Sequence, residues 1–117
     1  MADRLSAAGW RMLGRNVRVG RSELDLVAVD PGPPSRLVVV EVRWRRRPDF
    51  GSPEETFDHR KRAHVRAGVA RLMDAGSIPG GPNLPSLPPA VDLVVVEPGL
   101  RGGPPRIRHL RDVLEHG

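Results

Sequence analysis

The segment LVVVEVRWRR, residues 37–46, decides the fold. Four β-branched valines stand before an abrupt charged end, a strong strand signal. Side chains alternate along a strand, so Val38, Val40, Val42 and Trp44 share one face, and Leu37, Val39, Glu41 and Arg43 share the other. Trp44 lies opposite Glu41 and Arg43. It is therefore expected as a core anchor rather than as a platform for a nucleobase.

Upstream, ELDLVAVD (residues 23–30) reads as a second strand, with Leu24, Leu26 and Ala28 on one face and Glu23 and Asp25 on the other. Residues 10–19 form a first strand, joined to it by a hairpin turn at Val19-Gly20-Arg21-Ser22. Trp10 is expected in the core, and Pro31-Gly32-Pro33-Pro34 breaks the chain before residue 37. Residues 2–8 form a helical stub that stops at Gly9.

Downstream, Ser52-Pro53-Glu54-Glu55 fits a capping box, and Asp58 can cap a helix from about 59 to 75. Val65, Val69, Leu72 and Met73 follow the helical repeat and are expected to face the core, with Arg60, His64 and Arg71 roughly opposite. A Gly/Pro-rich loop (76–90) leads to VDLVVVE (91–97), whose nearly continuous apolar run reads as a buried strand. After a second such loop come a short strand at 106–109 and a helical turn from Leu110 to Glu115. Helix, three strands, helix and one or two strands make an α/β protein, a mixed sheet with helices packed on it.

The composition bounds the rest. At 117 residues the chain is expected to be one domain. It carries 19 Lys+Arg against 14 Asp+Glu, a formal charge of +5, and Lys61 is its single lysine. Arginine forks suit phosphate oxygens, so this balance permits a nucleic-acid partner. The absence of cysteine excludes disulfides, zinc–thiolate sites and thiol catalysis. No apolar run reaches membrane-spanning length, and MADRLSAAGW has no apolar leader core. A cytoplasmic protein with no membrane partner is expected.

The chemistry-bearing constellation is Glu23-x-Asp25 on one strand and Glu41-x-Arg43 on the next. Antiparallel pairing would bring the acidic sets within a few ångströms. Glu41 follows three valines, and a carboxylate buried there needs a partner or a metal. Converging carboxylates suit a hard cation such as Mg²⁺ or Mn²⁺, which activates water and neutralises charge growing on a phosphate. Arg43 could clamp a phosphoryl oxygen. A structural salt bridge made by Arg43 with Asp25 or Glu41 explains the same spacing.

At these residues the chain resembles the YraN-like family, which is related in fold to the PD-(D/E)XK nucleases, archaeal Holliday-junction resolvases among them. The matching stretches, in the family's order, are GWRMLGRNVRVGRSELDLVAVD (9–30), LVVVEVRWRR (37–46), FGSPEETFDHRKR (50–62) and IRHLRD (107–112). The resemblance implies a restriction-endonuclease-like mixed sheet over residues 1–117. It also implies Asp25 and Glu41 as metal ligands, the carbonyl of Val42 completing the site, and a less defined role for Glu23. Three departures stand out. Arginine replaces the motif lysine at position 43, and a guanidinium stays protonated, so Arg43 is no base. The family's Gly-Glu pair in a longer first helix has no counterpart, which makes the first helix read as truncated. Arg62 stands where a glutamine is usual.

Arg45, Arg46 and Arg47 leave the presumed catalytic strand, and Arg60, Lys61, Arg62 and His64 open the helix; both groups are candidate contacts to a DNA backbone. The four histidines show no zincin spacing, and the Gly-rich loops match no nucleotide-binding fingerprint. The expectation is a metal-dependent nuclease-like domain acting on DNA, branched DNA included, with Asp25, Glu41 and Arg43 at its centre. A binding module of the same fold without catalysis is the alternative, and a protein-interaction domain is the third. A homodimer would suit a junction substrate, but nothing in the sequence specifies one.

Overall fold

The structure is a computed structural model, described here for residues 1–45 and 57–114. Its elements are α1 (Ala2–Ala7), β1 (Arg11–Val19), β2 (Ser22–Asp30), β3 (Arg36–Trp44), α2 (His59–Ala75), β4 (Pro89–Glu97) and β5 (Arg106–Leu110). The strands form one sheet in the order β1-β2-β3-β4-β5. All neighbours are antiparallel except β3 and β4, which run parallel. A parallel pair needs a crossover, and α2 supplies it. The protein is thus α/β, a five-stranded mixed sheet with helices on it, consistent with a restriction-endonuclease-like fold. Strand β5 is the short strand expected at 106–109, one residue longer.

Each face of the sheet carries its own core. On the α2 side, Val65 and Leu72 pack with Leu37, Val39, Leu93 and Val95. On the α1 side, Ala2 and Leu5 pack with Val38, Val40, Val94 and Val96. The valine runs of β3 and β4 are therefore buried on both faces, which is why they read as continuous rather than alternating.

Helix α2 begins where Asp58 accepts the Lys61 N–H at 2.9 Å and ends at Gly76, whose φ of 76° favours glycine. It lies close against β2: a Cβ on Gly68 would come within 3.0 Å of Leu24 and Ser22. Arg71 donates to Ser22 Oγ at 2.6 Å, so that side chain braces the hairpin rather than pointing away from it.

Four expectations are corrected. Leu24 and Leu26 join opposite cores, against simple alternation. Asn16, with φ of 48°, lies between the residues paired to them, Val17 and Arg15, and this left-handed kink turns the hairpin end toward α2. Met73 is exposed, since Val65, Gly68 and Leu72 already form the buried stripe. Trp44 is 74% exposed, beside Met1 and Ala2 rather than packed with Val38 and Val40. Leu110 ends β5 rather than starting a helical turn. The capping box at 52–55 and Glu115 lie outside the described residues. No helix among the described residues is long and apolar enough to cross a membrane.

Candidate functional site

The β2–β3 ladder stops at Leu26↔Val40. One residue further, side chains take over from backbone. Glu41 Oε2 accepts the Asp25 N–H at 3.0 Å, and Asp25 Oδ2 accepts the Val42 N–H at 2.8 Å. Beyond this point β3 continues only along β4, reaching Trp44↔Val96. The opening between β2 and β3 is a pocket of about 290 Å³ lined by Glu23, Asp25, Glu41, Val42, Arg43, Lys61 and His64.

Glu41 is 6% exposed. Burial pushes its carboxyl up to about 7; the charges of Asp25 and Glu23 act in the same direction, while the Asp25 N–H and the Arg43 charge oppose them. A carboxylate in this state gains from any cation that reaches it. Two hard oxygen donors in a pocket with room for water suit Mg²⁺ or Mn²⁺, and the residues present fit such an ion. Glu23 lines the same pocket, but its carboxylate pairs with Arg18, its cross-strand partner, at 3.4 Å. Among the described residues no three acidic or histidine side chains converge as a metal cage. The pair Asp25 and Glu41 is what the fold brings together.

The cations divide. Arg43, Arg45, Arg60 and Lys61 line a groove of about 550 Å³, with Trp44, Asp58 and His64, next to the acidic pocket. Arg62 does not join them: it donates to the Phe57 carbonyl at 2.9 Å and the Val113 carbonyl at 2.7 Å, and lies over the Phe57 ring. Its guanidinium is committed to holding α2 against the C-terminal segment. Arg46 and Arg47 lie outside the described residues.

His64 reads in the sequence as a possible backbone contact beside Arg60, Lys61 and Arg62; its place in the acidic pocket is what sequence reasoning missed. Its helical position points it away from the core, and so it stands, yet it lines both the acidic pocket and the basic groove. The signal was its spacing: Lys61 and His64 are three apart and share a helix face.

The profile of "Uncharacterised protein family UPF0102" matches residues 1–96, which include every element of this pocket. The chain belongs to the UPF0102 family. A UPF0102 protein of Symbiobacterium thermophilum is 39% identical over 103 residues, 86% of this chain and 78% of its own length. That of Dehalococcoides mccartyi is 31% identical over 113 residues, 97% of this chain and 84% of its own. Against the UPF0102 proteins of Moorella thermoacetica and Persephonella marina the matched stretch is shorter, 61% and 47% of their lengths. UPF0102 is the YraN-like family that the motifs resemble, and its description names no activity.

Proposed function

We propose that this UPF0102 protein is a metal-dependent nuclease-like protein acting on DNA phosphodiester bonds. The observation that carries the reading is the juxtaposition of Asp25 with the buried Glu41 where β2 and β3 part, in a pocket also lined by Arg43, Lys61 and His64.

Asp25 and Glu41 would hold Mg²⁺ or Mn²⁺, with the Val42 carbonyl as a third oxygen. When bound, the ion supplies neutralisation of phosphate charge and activation of water. Arg43 and Lys61 hold the phosphate and stabilise the negative charge that grows on it. Hydrolysis adds the hydroxyl of water to phosphorus and the proton to the departing oxygen. His64 is the pocket's candidate for handling that proton. The basic groove steadies the flanking backbone through salt-dependent contacts.

The alternative, a DNA-binding module of the same fold without catalysis, is favoured by one feature. Arg43 occupies the motif's lysine position, and a guanidinium gives up no proton. Purified protein mixed with branched, flapped and single-stranded DNA plus Mn²⁺ separates the two. Cleavage by wild type that disappears in Asp25→Ala and Glu41→Ala supports the enzyme. Binding without cleavage supports the module.

A further inference from the structure

Trp44 stands where no core needs it. The valines before it on the same face, Val38 and Val40, are covered by α1, while the indole is 74% exposed. It is shared by two concavities on either side of the end of β3. One is the groove with Arg43, Arg45, Arg60 and Lys61. The other, of about 380 Å³, runs from Trp44 past Met1, Ala2 and Leu26 and past Val42 and Asp25 to Arg15 and Asn16. The Trp44 backbone therefore lies two strand residues, roughly 7 Å, from that of Val42 at the acidic pocket. An exposed large aromatic flanked by fixed cations combines the two elements of single-strand recognition, a flat face for a base and charge for the backbone.

We propose that Trp44 is a stacking platform for an unpaired nucleobase, so that the preferred ligand is a DNA strand with an unstacked base at the site, in single-stranded or flapped form, rather than intact duplex. This rests on the reading of the groove as a DNA surface and adds the substrate class. A base in duplex is already stacked and paired, and offers its face to the indole only at the expense of that pairing. The charges beside Trp44 match a phosphate backbone rather than a purely apolar partner.

The test is binding by the full chain in EDTA, so that no strand is cut, with oligo-dT and a blunt duplex as ligands. In Trp10→Phe, emission comes from Trp44 alone and should be quenched by oligo-dT. Trp44→Ala should weaken oligo-dT binding by about tenfold or more, and Trp44→Phe should retain most of it. Duplex binding should be little changed in either variant. Because Trp44 is exposed, Trp44→Ala keeps the wild-type melting temperature, and its affinities stand even if Trp10→Phe folds poorly. Equal losses for both ligands, or no loss for either, overturn the proposal. If Asp25-dependent cleavage persists in that case, the nuclease reading survives without it. Quenching and a Trp44-dependent preference without cleavage leave the proposal standing and point to the binding module. Absence of DNA binding at low salt overturns both.

Discussion

Asp25 and Glu41 each hold the other strand's backbone: Glu41 accepts the Asp25 N–H, and Asp25 accepts the N–H of Val42, the neighbour of Glu41. Two ladder bonds are thus replaced by carboxylates at the place where the strands separate. The acids keep the opening in shape as well as lining it. A carboxylate has two oxygens, so each acid can bind a cation and retain its amide.

Glu41 should make stability depend on pH in an unusual direction. Its carboxyl is raised from 4.5 to about 7 in the fold. Between those values the folded chain keeps a proton that the unfolded chain has released. Stability therefore falls as pH rises through this window, by about 1.4 kcal/mol per pH unit across it, and stays lowered above it. Glu41→Gln, which cannot ionise, should melt above wild type at about pH 8 and close to it at about pH 5. Added Mg²⁺ at the higher pH should raise the wild-type melting temperature and leave Glu41→Gln unmoved. Thermal melts across pH, with and without the ion, measure both. A wild-type curve indifferent to Mg²⁺ would count against the cation site.

The helix cations should separate by readout. Arg60→Ala and Lys61→Ala should each flatten the log–log salt dependence of DNA binding by about one. Arg62→Ala should leave that slope alone and lower stability by about 2–3 kcal/mol, because it strands two carbonyls and frees the start of α2. Titration at several salt concentrations beside urea melts distinguishes them.

Arg43→Lys tests whether the scaffold is ready for catalysis. A lysine can lose its proton when its environment depresses its pKa, whereas the guanidinium cannot. Metal-dependent cleavage should rise by at least about tenfold over wild type. The gain should vanish when Asp25→Ala is added. Unchanged cleavage in Arg43→Lys would show that position 43 does not limit the reaction.

The parts of this protein legible in its sequence are those governed by period and caps. Strands β1 to β4 and helix α2 follow from valine-rich alternation, the Gly20 turn and the Asp58 cap. The approach of Asp25 to Glu41 follows once β2 and β3 are read as antiparallel. What period could not give is where each strand loses its cover. Trp44 obeys the alternation that puts Val38 and Val40 inside, yet it stands 74% exposed beside Met1 and Ala2 rather than beneath α1. Arg62 reads as one more cation in a basic run. Only the fold brings the Val113 carbonyl, 51 positions away, to its guanidinium. Leu24 and Leu26 part company at a backbone kink set across the hairpin, at Asn16, which no pattern within β2 reveals.

Asp92 is the polar centre on the α1 side of the sheet, and it reaches the site indirectly. It is 1% exposed and accepts from His109 Nε2 at 2.8 Å, Arg111 Nε at 2.8 Å and the Asp112 N–H at 2.9 Å. Arg111 also pairs with Asp30 and lies over the Trp10 ring. Burial acts to raise the Asp92 carboxyl, but these donors and the Arg111 charge outweigh it and hold it below its ordinary value of 3.8. A depressed carboxyl adds stability above the unfolded pKa that is lost as pH falls through the folded one. Wild type should therefore lose stability steeply in acid, and Asp92→Asn should already be weaker at neutral pH, by about 3 kcal/mol, with a shallower acid dependence. The same segment continues to Val113, whose N–H donates to Val91 and whose carbonyl receives Arg62 from α2. Loosening it releases the helix end that carries Lys61 and His64. Asp92→Asn should consequently lose DNA binding on warming at a lower temperature than wild type, while matching wild-type affinity in the cold, where both are folded. Urea melts at two pH values and binding measured along a temperature ramp check the two halves of this expectation. A cold affinity far below wild type would instead mean that Asp92 shapes the DNA surface directly.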